Sequence, residues 1–371
     1  MNAYAYKANN YLLNQIINSI QLKEHQQHPI HALNHIKNLM PIIQQQTDDC
    51  LFVDTTGDDD IKQITPTLLA YAVMLTLAHC MEQVASYYPI YTFNPYIDIF
   101  VRNAENGGLI EKVRRHEALN IQDSAYKNDH EYKIFDYMAM GIDDFINQIR
   151  HEMRSPWFKR LVYNAQRVSS DNYDRLLEYI NALFERYARL LVLRVDFSYQ
   201  WDDVWLEQDW QMKYYEAKRD LKRFLDNMDS NKLFQHVVGY VWKLECGPDK
   251  GWHYHVLFFC DGSQVREDVT LAMRIGEYWK KLTLDRGLYF NCNAHKPQYE
   301  TVCIGMINHD DLHLIDPLKS AVKYLTKIDH IARALVPGNG RTFGRKEMPE
   351  PKAGNTGRPR SFDPELMFYI R

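Results

Sequence analysis

The chain has 371 residues, 46% hydrophobic and 25% charged, with a formal net charge of -4. That composition excludes a disordered or collagen-like polymer. It also excludes a protein that grips nucleic acid with a uniformly basic surface, so any basic face must be local. The length predicts about two domains.

The opening segment, MNAYAYKANNYLLN, lacks the basic-then-apolar pattern of a signal peptide. The most apolar early run, residues 68–78 (LLAYAVMLTLA), is too short to cross a bilayer and reads as a core helix. The six cysteines, Cys50, Cys80, Cys246, Cys260, Cys292 and Cys303, form no C-x-x-C pair. They predict reduced, structural thiols in a cytoplasmic protein.

The first ~185 residues read mostly as helices. Residues 33–43 carry apolar side chains at helical spacing, and Thr65-Pro66 opens a helix over 67–84. A long helical texture runs over 150–193. Asp58-Asp59-Asp60 and Glu105-Asn106-Gly107-Gly108 read as loops. His28, His31 and His35 have no acid at matching spacing and read as surface residues.

The texture changes near residue 190. Residues 190–197 (LLVLRVDF) read as a strand and 205–228 as a charged helix. A strand follows at 236–245 (HVVGYVWKLE), then the turn CGPDKG, then a strand at 252–260. A helix over 265–284, a strand over 299–307 and a helix over 317–334 complete the series. The order β-α-β-β-α-β-α predicts an α+β fold, a central antiparallel sheet with flanking helices. A mostly helical domain precedes it. The boundaries are 1–188, 189–335 and a basic Gly/Pro/Arg-rich tail, 336–371, expected to be loop-like until it meets a partner.

The chemistry concentrates in GWHYHVLFFCDG, residues 251–262. In a strand, positions i and i+2 share a face, so His253 and His255 can meet one ion. A hairpin centred on Asp249 puts Glu245 directly across from His253, on that same face. A one-residue slip would send it to the other side. Two imidazoles and a carboxylate with open positions suit Mg²⁺, Mn²⁺ or Zn²⁺, and such a site binds a phosphate oxygen. By itself an H-x-H pair is commonplace, and the aligned carboxylate is what makes it specific. The last helix carries AVKYLTKIDH, residues 321–330. Tyr324 and Lys327, three apart, are expected on one helix face. A Y-x-x-K pair on an amphipathic helix is, taken alone, usually part core and part solvated face.

Together, E-x7-H-x-H on a hairpin and Y-x-x-K beginning 71 residues after His253 resemble the HUH endonucleases. These comprise rolling-circle replication initiators and their relaxase and transposase relatives. The resemblance covers residues 190–333. It is nearest to the initiators of filamentous phages and their prophage relatives, through RVDFSYQ, GWHYHVLFF, IGEYW and AVKYLTKIDH in that order and the Gly/Arg-rich tail. It implies an HUH nuclease domain of ferredoxin- or RRM-like form. His253 and His255, with Glu245 as third ligand, would hold Mg²⁺ or Mn²⁺. Tyr324 would attack a phosphate of single-stranded origin DNA, leaving a 5′-phosphotyrosine and a free 3′-hydroxyl, with Lys327 assisting. Many phage initiators carry a second tyrosine four residues earlier. Here that place is Ser320, which implies a single-tyrosine enzyme. No G-x-x-x-x-G-K-[ST] segment is present, so a host helicase would unwind the duplex and a host polymerase would extend the 3′ end.

Two sets of cations could touch DNA phosphates. Lys213, Lys218, Arg219, Lys222 and Arg223 are balanced by Glu216 and Asp220 and read as a solvated face. Arg341, Arg345, Lys346, Lys352, Arg358 and Arg360 are less balanced and follow the tyrosine helix. Tyr199 and Trp201 could stack on a base or fill the core. Two rivals stand: a non-catalytic DNA-binding or regulatory protein on the same scaffold, and a metal-dependent nuclease using water.

Overall fold

The structure is a computed structural model that describes residues 3–22, 29–46, 52–56, 62–85, 94–106, 108–117, 129–200, 209–247, 250–300, 302–327, 336 and 340–350. The chain divides into two compact units, Met1–Tyr163 and Asn164–Arg371.

In the first unit the described helices are α1 (Ala3–Gln21), α2 (Pro29–Gln45), α3 (Leu68–His79), α4 (Met81–Ala85), α5 (Pro95–Asn106), α6 (Leu109–Glu117) and α7 (Asp129–Arg154). An antiparallel hairpin of β1 (Phe52–Thr56) and β2 (Lys62–Pro66) was not expected. The apolar run at 68–78 is the core helix it reads as. Thr67 caps α3 by accepting a hydrogen bond from the Ala70 amide, and Leu69, Val73, Met74 and Leu77 are buried. His35 corrects the surface reading. It is buried, with Ser19 Oγ 3.1 Å from Nε2 and Cys80 Sγ 3.6 Å from Nδ1. Among the described residues the cysteines are thiols in no disulfide, Cys80, Cys246, Cys260 and Cys292 buried and Cys303 half-buried. Burial pushes both Cys80 and Cys260 up to about 12, so neither is a reactive thiolate.

The division falls within α8 (Pro156–Arg186), so residues 164–186 join the second unit. There follow β3 (Arg189–Tyr199), α9 (Asp209–Met228), β4 (Val237–Gly247), β5 (Gly251–Asp261), α10 (Asp268–Leu282), β6 (Gly287–Asn291), β7 (Gly305–Asn308), α11 (Leu312–Thr326) and β8 (Phe343–Arg345). The strands form one antiparallel sheet in the order β6-β3-β5-β4-β8, with β7 also on β3.

This is the predicted α+β architecture, with three local differences. The strand expected over 299–307 is only β7, which begins at Gly305, and a 3-10 segment, Cys292–Gln298, lies before the expected span. The strand β6 was not expected. Leu284 and Asp285 both adopt positive φ, 55° and 59°, and turn the end of α10 back into the sheet without the glycine such a turn usually announces. The tail supplies β8, an edge strand on β4.

Strand alternation sorts the side chains onto two faces. On one, Leu190, Val192, Val241, Leu257 and Phe259 pack against Tyr179, Ile180 and Leu183 of α8 and Leu318, Val322 and Leu325 of α11. On the other, aromatic side chains meet α9 and α10. Phe197 stacks on Trp279 at 4.6 Å, and Phe224 lies 5.9 Å from Trp279 and 6.1 Å from Phe258. Such pairs add about 0.5–1.5 kcal/mol each beyond the area they bury. Strand β5 is covered on both faces, which is why its apolar run does not alternate.

Gly276 sits in the middle of α10, where alanine ordinarily stabilises a helix by about 1 kcal/mol. Here a Cβ would fall 2.1 Å from the Tyr289 ring of β6. Gly276→Ala is therefore expected to destabilise the protein by about 1–3 kcal/mol. A urea titration reporting an unchanged or raised midpoint would refute this close packing.

Candidate metal centre and its tyrosine

The hairpin forms in the predicted register. Glu245 pairs with His253 and Gly247 with Gly251, whose φ of +56° supplies the left-handed turn position. Alternation then puts Glu245, His253 and His255 on one face. Their ligand atoms all lie within 4.8 Å of one another. Glu245 Oε2 is 3.6 Å from His253 Nε2 and 3.2 Å from His255 Nε2. Those are the spacings of neighbouring ligands bound to one ion at about 2.1 Å.

Each ligand is oriented from behind. His253 Nδ1 donates to the Gly251 carbonyl at 2.8 Å, which fixes the ring with Nε2 turned to the centre. His255 Nδ1 faces Asp196 Oδ2 at 2.9 Å, so its Nε2 also turns to the centre. Asp196 pairs with His255 across β3 and β5, and Arg194 donates to both of its carboxylate oxygens, at 3.0 and 3.2 Å. Lys243 Nζ holds Glu245 Oε1 at 2.5 Å, so Oε2 is the oxygen turned to the imidazoles. The donor set and its support fit a divalent cation.

Burial opposes ionisation of Glu245, but hydrogen bonds from His253, His255 and Lys243 outweigh it and hold its carboxyl well below the usual range. Asp196 follows the same pattern, with burial overcome by His255 and Arg194, and is lowered. For His255, burial disfavours the imidazolium, yet Asp196 and Glu245 raise its pKa. Both carboxylates are thus held ionised, each beside a cation, Glu245 with Lys243 and Asp196 with Arg194.

Tyr324, on α11, reaches this centre. Its hydroxyl donates to Glu245 Oε2 at 3.1 Å and lies 3.4 Å from His255 Nε2. The residue keeps 43% of its surface exposed, enough for a large substrate to approach. Burial of the hydroxyl and the Glu245 carboxylate raise the phenol pKa, so the resting group is neutral. Cations flank the ring. Lys243 Nζ is 4.6 Å and Arg194 Cζ 5.8 Å from its centroid, and Lys243 also donates to the Tyr324 carbonyl at 3.1 Å.

Lys327 is the C-cap of α11: its amide still bonds to the Lys323 carbonyl at 3.1 Å, so it keeps its helical place three residues after Tyr324, and the backbone turns extended (ψ 131°) only after it. Its side chain is exposed and makes none of the contacts that hold the centre. The cation beside the tyrosine is instead Lys243, 4% exposed, which the sequence reading missed along with Asp196 and Arg194. A signal existed, since K-x-E in β4 and R-x-D in β3 each put two charges on one strand face.

Of the basic tail, Arg341 is exposed and Arg345 lies 4.8 Å over the Tyr179 ring, donating to the Lys346 carbonyl. Arg341, Arg345 and Lys346 line a cavity of about 680 Å³ at the β8 edge, away from the triad. Arg358 and Arg360 lie outside the described residues. Lys218 packs 4.6 Å over Trp242, and Lys222 pairs with Asp226. Tyr199 is half-buried, donates to Asp220 and packs edge-on to Trp279; Trp201 lies outside the described residues. His295 Nδ1 donates to the Asn291 carbonyl; His330 is outside the described residues. Among the described residues no helix is long and apolar enough to cross a membrane.

Asp196→Asn keeps the shape but weakens the support of His255. Metal affinity is expected to fall about 10- to 100-fold, measured by calorimetry with Mn²⁺. Unchanged affinity would remove Asp196 from the centre.

A family model described as the YagK/YfjJ C-terminal domain matches residues 153–345, a span that takes in α8, the whole six-stranded sheet and every residue of the centre. No curated protein and no solved structure matches the chain.

Proposed function

Because the chain belongs to the YagK/YfjJ C-terminal domain family, a prophage-type family, and carries a metal-ready triad with a tyrosine upon it, we propose that it nicks and rejoins single-stranded DNA as a rolling-circle replication initiator. One observation carries the reading. A helix 71 residues beyond His253 delivers the Tyr324 hydroxyl to within 3.1 Å of Glu245 and 3.4 Å of His255. A structural tyrosine on a half-solvated helix has no reason to end there.

Glu245, His253 and His255 would hold a divalent cation. When bound, that cation neutralises charge on a phosphate oxygen and makes the phosphorus more electrophilic. The chain's own groups do the rest. Lys243 and Arg194 put positive charge beside the Tyr324 ring and favour the developing phenolate. Tyr324 Oη forms a bond to phosphorus as the bond from phosphorus to the DNA 3′-oxygen breaks. The phenol gives up its proton and the departing 3′-oxygen gains one, leaving a 5′-phosphotyrosine and a 3′-hydroxyl. The ester retains the bond energy, so the reverse attack reseals the strand. Host helicase and polymerase would act before and after it.

The test is covalent capture. The full chain is incubated with Mn²⁺ and labelled single strands from the origin region of the element that encodes it, then run on a denaturing gel. A chelator-sensitive shifted band supports the reading. Cleavage without a band points to attack by water. Origin binding with neither cleavage nor band points to a non-catalytic DNA-binding protein.

A further inference from the structure

The face that carries the triad continues past β3 onto β6. Asp196 pairs with His255 on one side and with Phe290 on the other. Phe290 therefore sits level with the centre, two strand spacings from His255, or about 10 Å. It is 41% exposed, and Leu288, two residues earlier on the same face, is 40% exposed. Single exposed apolar side chains are ordinary on a protein surface. This one is different in being held as a flat platform. The His295 ring stacks on Phe290 at 4.4 Å and 25°, and the His295 Nδ1 bond to the Asn291 carbonyl, 2.8 Å, fixes that ring. Asn291 is itself anchored, its amide donating to Val269 and its side-chain oxygen accepting from the Ala294 amide.

We propose that Phe290, backed by His295, is a stacking platform for a nucleobase of single-stranded DNA close to the phosphate that the triad and Tyr324 engage. Stacking needs only a π-face, so the platform tolerates any base, and it requires the base to be unpaired. Arg194, on β3 between the platform's strand and the triad's, is bound to Asp196 and lies 5.8 Å from the Tyr324 ring, a cation available to a phosphate there. A duplex cannot use the platform, because its bases are stacked on one another. The placement of the phosphate rests on the function proposed above; the platform itself does not need metal or nicking.

The test separates the two. The full chain is titrated into fluorescein-labelled oligothymidylate in a chelating buffer, with a duplex of mixed sequence as control. Loss of one stacked base corresponds to roughly a 5- to 150-fold weaker affinity, and that is expected for Phe290→Ala on the single strand, with no change on the duplex. Phe290→Leu keeps apolar bulk and is expected to weaken binding like alanine, whereas Phe290→Trp keeps the π-face and is expected to bind like the parent. Equal affinities for parent, leucine and alanine variants overturn the proposal, as does a parent that ignores the single strand. If Phe290→Ala and Phe290→Leu lose binding but the parent never forms a covalent adduct, the platform stands and the nicking reading falls. If the adduct forms and both variants bind and react like the parent, the platform alone falls.

Discussion

Tyr324→Phe is expected to abolish the covalent protein–DNA adduct and to cut strand cleavage by on the order of 10³-fold or more, while single-strand binding and melting temperature stay near those of the parent. The physical reason is that the substitution removes one oxygen and little else. The ring remains against Lys243 and Arg194, and only the hydroxyl's bonds to Glu245 and His255 are lost. Its partner Glu245 Oε2 keeps His255 Nε2 at 3.2 Å, so removing the hydroxyl leaves no buried group unpaired. Denaturing electrophoresis with end-labelled strands reads the adduct and the cleavage together. Cleavage that survives undiminished would mean that the bond is broken by water and that Tyr324 serves only as a lid.

Two substitutions at the centre should fail in different ways. His255→Ala removes one metal donor and leaves Asp196 still bound by Arg194. Mn²⁺ affinity should drop at least about 100-fold, adduct formation should disappear, and stability should change little. Glu245→Ala removes the donor shared by both imidazoles and also the counter-ion of Lys243, which is 4% exposed. Stranding that ammonium is expected to cost about 3 kcal/mol of folding stability in addition to the metal. Calorimetry for Mn²⁺ and a denaturant titration, run on both variants, distinguish these outcomes. Full metal affinity in both would dismiss the triad as a metal centre.

Much of the site was legible because strands obey a period of two. Given the turn between Cys246 and Gly251, a hairpin admits few registers, and only one puts the Glu245 carboxylate beside His253. That is a local constraint, carried by a few bonds of short span. The reverse-face core was legible for a similar reason, since aromatic residues at alternate strand positions and at helical spacing in 209–228 and 268–282 have one sheet to bury against.

The sequence by itself therefore determined the α+β plan, the hairpin register and the candidate ligands, because each depends on neighbours within a dozen residues. Tertiary structure alone decided the rest. The helix that carries Tyr324 ends at Lys327, its C-cap, although the apolar spacing ran on to 334; helix ends are set by packing and caps more than by spacing. Beyond its K-x-E spacing, nothing in the sequence singles out Lys243 from the other lysines. It becomes the buried cation under Tyr324 only because α11 closes over β4. Asp196 and Phe290 take positions on either side of one another only because β3 pairs with both β5 and β6, and β6 enters through two left-handed non-glycine residues that no turn signal marks. Contacts between residues far apart in the chain are chosen by the packing of whole elements, and no window of sequence contains that choice.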